Sequence, residues 1–234
     1  MALKPRTSTT VKKKLRDAFR SHLGLDRRTA GQLLASATLQ EKAYELNALI
    51  EVMARLKAMR SSLSFILVHG SSLVFRAKGG PIDRAKWPYI RIDDDRGTVG
   101  ELWVDIECLA ISAGRAAKAL TGQIYGKCHE LDIVLVVPGT SQRPLPDEVL
   151  LGVEAKHRVF NKALLKELLG VRREMTMRTN PSRTRNTRRW FIWWAHDLPA
   201  QPPSGLVAFC SSNTINLYRD PADFWGIHME YLPL

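Results

Sequence analysis

Residues 129–158 read HELDIVLVVPGTSQRPLPDEVLLGVEAKHR, and this stretch limits the folds open to the chain more than any other. Two aliphatic runs, 134–137 and 149–153, read as strands, separated by PGTSQRPLPD, a segment rich in residues that break regular structure. Glu130 and Asp132 precede the first run, and Glu154 and Lys156 follow the second. Strand side chains alternate between faces, so Glu130 and Asp132 share one side of their strand, as do Glu154 and Lys156 of theirs. As neighbours in a hairpin, the two strands bring all four groups to one end of a sheet. Leu131, Ile133, Leu135, Leu151 and Val153 read as buried, and charged groups beside them are costly unless they are paired or hold a cation. Hard oxygen ligands favour Mg²⁺ or Mn²⁺, an ion that leaves positions for water and substrate phosphate. Lys156 beside such an ion could orient or help deprotonate an attacking water, while the ion stabilises charge on phosphorus.

The charge balance fits an anionic substrate. Lys and Arg number 35 against 23 Asp and Glu in 234 residues, a net charge of +12, so nucleic acid is the natural partner. The longest apolar runs, 133–137 and 190–195, fall far short of the roughly 20 residues that span a bilayer, so no membrane span is expected, and a membrane-surface role through the basic N-terminal helix is the weaker alternative because that helix has few large apolar residues. Residues 1–20 hold seven Lys or Arg without a continuous apolar segment, which argues against a secretory signal and for the cytoplasm. Cys108, Cys128 and Cys210 have no C-x-x-C spacing and read as buried thiols.

Along the chain, residues 1–37 read as a basic helical N-terminal extension and 38–234 as one domain. Val11, Leu15, Phe19 and Leu23 recur at helical spacing among lysines and arginines, and a short helix is expected to follow Asp26. Thr38-Leu39-Gln40-Glu41 matches a capping box opening a helix that runs to about Arg60. Strands are expected over 65–68, 73–75, 89–92, 102–111, 134–137, 149–153, 190–195 and 206–210, with DDDRGTVG as a hairpin and a helix over 160–175. Glu45 falls within the apolar stripe of the first core helix, beside Leu49, Val52 and Leu56, and so needs a partner: a metal, or nearby Lys42. Asp105 and Glu107 alternate with Leu102, Val104 and Ile106 and read as the wet face of a half-buried strand, with a metal role as the weaker alternative.

Asp132, followed twenty-two residues later by Glu154-Ala155-Lys156, with an apolar strand before each and a helix after the second, resembles the PD-(D/E)XK nuclease superfamily. The resemblance covers residues 41–195 by element order and a few positions by identity. It implies a restriction-endonuclease-like α/β core with a central mixed β-sheet flanked by helices. It further implies that Asp132 and Glu154 bind metal, that Lys156 is the catalytic lysine, and that Glu45 and Glu130 complete the metal shell. The chain departs from the pattern in having no proline before Asp132 and no Gln-x-x-x-Tyr on the following helix. A role in defence against foreign DNA, and action as a homodimer or with a partner protein of a multi-component system, are further implications.

Seven arginines against one acid lie in residues 171–189, read as a loop leaving the helix beside the site. Arg172, Arg173, Arg178, Arg183, Arg185, Arg188 and Arg189, with Lys162 and Lys166, are the expected phosphate contacts. The run RRWFIWWAH could stack bases, but its alternation reads better as core. His129 and His157 flank the charged pairs as secondary candidates. No Gly-rich phosphate loop or other nucleotide-cofactor site is present. The expected function is a metal-dependent phosphodiesterase, an endonuclease acting on DNA before RNA. The alternative is a non-catalytic nucleic-acid-binding protein, or a subunit of a nuclease complex with a vestigial acidic site.

Overall fold

A seven-stranded mixed sheet organises the protein in a computed structural model that describes residues 9–23, 40–70, 73–113, 126–178, 190–194 and 200–234. Among the described residues the first elements are the helices α1 (Thr9–Leu23) and α2 (Gln40–Met59). Strands β1 (Ser64–Val68), β2 (Tyr89–Asp94), β3 (Gly97–Leu109), β4 (Cys128–Val136) and β5 (Val149–Lys156) follow. Helix α3 (Lys162–Met175) leads to the short strands β6 (Met177–Arg178) and β7 (Ala200–Gln201), then β8 (Gly205–Cys210), α4 (Arg219–Phe224) and β9 (Ile227–Tyr231). The sheet order is β1-β2-β3-β4-β5-β8-β9. The first five strands form an antiparallel meander, and β8 and β9 then add in parallel. A parallel addition requires a crossover, and α3 supplies the one from β5 to β8.

Each face of the sheet is covered. Tyr44, Leu49, Val52 and Leu56 of α2 pack with Leu102, Val104, Ile133, Leu135, Leu151, Val153 and Val207 on one face, where Leu15 of α1 is also buried. Leu164, Leu168 and Val171 of α3 pack with Trp103, Ile106, Leu131, Val134, Leu206 and Ala208 on the other. Helix α3 starts where it does because Asn161 caps it, its Oδ1 accepting the amides of Ala163 and Leu164 at 3.0 and 3.1 Å.

The face assignments contain an irregularity. Leu102 and Val104 face α2, but Ile106, the next residue of the same parity, faces α3. On β4, Leu131 faces α3 while Ile133 faces α2. The alternation therefore slips by one position at Asp105 and at Asp132. These residues occupy matching places between the pairs Val104↔Ile133 and Ile106↔Leu131. Asp105 carries the slip in its backbone, with φ at 53°, a left-handed conformation uncommon outside glycine and the short polar residues.

Two strand expectations are corrected. Residues 73–75 are irregular, and the Arg76 amide next to them donates to the side chain of Asp105 rather than to a strand. The aromatic run 190–194 is a turn and bend packed on the sheet, where Trp190 and Trp194 fill the space left by Gly100 and Gly205. The outermost strand is instead β9, which the sequence pattern did not mark. The expected helix after Asp26, and Thr38 and Leu39 of the capping box, lie outside the described residues. Among those residues no helix is long and apolar enough to cross a membrane.

Candidate metal centre

Three carboxylates from three elements converge. Glu45 of α2, Asp105 of β3 and Asp132 of β4 each offer an oxygen, and these oxygens lie within 4.8 Å of one another. The slip in alternation makes this possible by placing Asp105 and Asp132 opposite each other at the point where both strands change face. Asp105 is fully buried and Glu45 nearly so. Like charges directly opposed on neighbouring strands repel, so the arrangement calls for a cation. Lys42 supplies one, its Nζ 2.8 Å from Glu45 Oε2 and 2.9 Å from Asp105 Oδ1. The Arg76 amide donates to Asp105 Oδ2 at 2.6 Å, and the Arg76 guanidinium to the Asp105 carbonyl.

A second half of the site lies across β5. Lys156 Nζ is 2.5 Å from Glu154 Oε2, 3.8 Å from Asp132 Oδ2 and 3.7 Å from Glu167 Oε1 of α3. Asp132 Oδ2 also accepts the Ala155 amide at 2.7 Å, which pins the carboxylate against β5. Asp132 is thus shared between the trio and the Glu154–Lys156 pair. His157, next along the chain, stacks on Tyr44 of α2 with ring centroids 5.4 Å apart.

The electrostatics record a surplus of negative charge. Burial, then the charge of Asp132, pushes Glu45 up to about 8 against the opposing pull of Lys42. Burial and Asp132 likewise raise Glu154, although Lys156 opposes them. Burial raises Asp105 despite Lys42 and the Arg76 amide. Burial alone would lower Lys156, but Glu154 and Asp132 outweigh it and hold the ammonium protonated beyond its ordinary range. Among the described residues the carboxyls of Glu45, Asp105, Asp132, Glu154 and Glu167 meet the ammonium groups of Lys42 and Lys156 and the charge of the Arg76 guanidinium, and the donors are hard oxygens that suit Mg²⁺ or Mn²⁺. The residues present fit such an ion.

Of the expected ligands, the structure brings Glu45 and Asp132 together and sets Glu154 beside Asp132, outside the 4.8 Å trio. Glu130 is corrected: it is exposed, its carboxyl rests over Gly79 so closely that a Cβ there would lie 2.5 Å from Glu130 Cδ, and it does not join the trio. Asp105, expected on a wet face, is the member missed. Its signal was an acid inside LWVDIECLA, a run too apolar on both parities for an ordinary half-wet strand. Glu107, its companion in that expectation, pairs with Arg143 at 2.9 Å.

The expected phosphate contacts divide. Lys162, Lys166 and Arg173 are exposed on α3. Arg172 is corrected: it is 5% exposed, and its guanidinium donates to the carbonyls of Trp225 at 3.1 Å and Ser204 at 2.7 Å, which ties α3 to the chain before β8 and before β9. Arg178 pairs through its backbone in β6, while Arg183, Arg185, Arg188 and Arg189 lie outside the described residues. Lys166 and Arg173 line a groove of about 770 Å³ with a largely apolar floor that includes Leu169 and Trp225. None of the acidic residues of the trio lines this groove.

Comparison with family models, with curated proteins and with solved structures found no match.

Proposed function

We propose that the protein is a metal-dependent phosphodiesterase of the PD-(D/E)XK kind, cutting DNA in preference to RNA. One observation carries this reading: Asp132 stands between a carboxylate trio able to hold a divalent ion and the Glu154-x-Lys156 pair on the neighbouring strand. Glu45, Asp105 and Asp132 would hold Mg²⁺ or Mn²⁺, with Glu154 adjacent. When bound, the ion supplies neutralisation of the carboxylates and electrostatic stabilisation of charge on the phosphate. Lys156 is held protonated by Glu154 and Asp132, so its part is to orient water and stabilise an anionic oxygen rather than to accept a proton. The exposed Lys162, Lys166 and Arg173 on α3, beside the Glu167 contact to Lys156, would track the phosphate backbone.

The test is cleavage of plasmid DNA with Mg²⁺ or Mn²⁺. Asp132→Ala and Lys156→Ala are each expected to lose about a hundredfold or more in rate. Cleavage at equal rate by wild type and both variants removes the assignment. A second reading, a nucleic-acid-binding protein whose acids are structural, is favoured by one fact: Lys42 and Lys156 already partner Glu45, Asp105 and Glu154 within 3 Å. Under that reading DNA binding is steeply salt-dependent, and titration shows no divalent ion at Asp132.

A further inference from the structure

Lys42 bridges two of the three carboxylates, Glu45 and Asp105, with its ammonium group. Its Nζ contacts Glu45 Oε2 at 2.8 Å and Asp105 Oδ1 at 2.9 Å, and the other Asp105 oxygen accepts the Arg76 amide at 2.6 Å. Asp105 therefore has one oxygen fixed by backbone and the other by an ammonium. The ammonium also lies 6.0 Å from the centre of the Phe75 ring, and the Lys42 side chain keeps 22% of its surface exposed. A long flexible stem with an open side can leave without any backbone movement.

A divalent ion on Glu45, Asp105 and Asp132 and an ammonium on two of the same carboxylates would repel at close range, where little water screens them. Resting on the metal reading above, we infer that Lys42 is an internal counter-cation which the divalent ion displaces: it neutralises the empty trio and sets the ion concentration at which the site fills. The two events are linked, so the metal's apparent affinity is lowered by whatever the two charge-assisted bonds of Lys42 contribute. Lys42 is thus a positioning residue, acting on the ligands Glu45 and Asp105.

Mn²⁺ binding, followed by the electron paramagnetic resonance of the free ion, tests this in the full chain. Lys42→Met keeps the stem and removes the charge, and it is expected to bind Mn²⁺ about tenfold tighter or more. Its melting temperature should fall below that of wild type without the ion and recover with it. Affinity equal to or weaker than wild type overturns the inference. Should Lys42→Met fail to fold, amine acetylation of the wild type, mapped by mass spectrometry, gives the same answer: labelling at Lys42 rises on adding Mn²⁺ if the ion displaces it, and unchanged labelling overturns the idea. Binding that Asp132→Asn abolishes, without tightening in Lys42→Met, removes the role of Lys42 alone. No Mn²⁺ bound by the wild type removes the metal reading and this inference with it.

Discussion

Asp105 shows how one residue can be chosen by backbone and charge together. At φ 53° most side chains crowd the backbone, whereas Asp and Asn tolerate the left-handed region. Asp105→Asn should therefore keep the fold, with an unfolding free energy in denaturant within about 1 kcal/mol of wild type, and bind a divalent ion more weakly. Asp105→Val, β-branched and wrongly shaped for that conformation, should cost about 2–3 kcal/mol more. Equal stability of the two variants would mean that the turn of the chain there is not strained. Glu45 adds a pH signature. Its folded-state value of about 8 lies above the ordinary 4.5, so between those limits the folded protein holds a proton that the unfolded chain releases. Without metal, stability should thus fall as pH rises through that window, by on the order of 1–3 kcal/mol, with Glu154 contributing in the same direction. Thermal melts across that range should show a shallower decline for Glu45→Gln, and added Mg²⁺ should restore the wild type at the alkaline end. A pH-independent wild type would contradict the upward shift that burial and Asp132 impose on Glu45 against the pull of Lys42.

Helix α3 carries one buried cation and several exposed ones, although all look alike in sequence. Arg172 faces inward and satisfies two carbonyls, so Arg172→Ala leaves them unpaired and should lower stability by about 2–3 kcal/mol, with the salt slope of DNA binding unchanged. Lys162, Lys166 and Arg173 face outward, and changing all three to Ala should leave the melt nearly as it was while flattening the slope of log affinity against log salt by about two to three. The opposite pattern would place the nucleic acid elsewhere. Strand β3 teaches a related lesson. Continuous alternation puts Asp105 on a wet face, whereas the slip in the strand makes it the most deeply buried member of the site.

Across the molecule, what sequence could show followed from period and composition. The α/β class, the α2 stripe with Glu45 in it, the hairpin between β2 and β3, the β4–β5 hairpin, α3 and β8 are all in the structure, because each rests on a run whose apolar spacing has one sensible burial. The misses arise where a tertiary partner decides. The aromatic run at 190–194 alternates like a strand but packs as a plug over glycines far away in sequence. Strand β9, IHMEY, is short and half polar, and only its place beside β8 makes it a strand. The trio depends on a backbone conformation at Asp105 that no spacing rule reveals. Sharing of a divalent ion by Glu45, Asp105 and Asp132 is the proposal on which the function rests. A crystal soaked in Mn²⁺ and measured at the manganese absorption edge tests it directly. An anomalous peak about 2.1 Å from oxygens of Asp132 and its two neighbours, with Lys42 withdrawn, is the expected result. A soaked crystal with no peak there, and Lys42 still bridging Glu45 and Asp105, would contradict it.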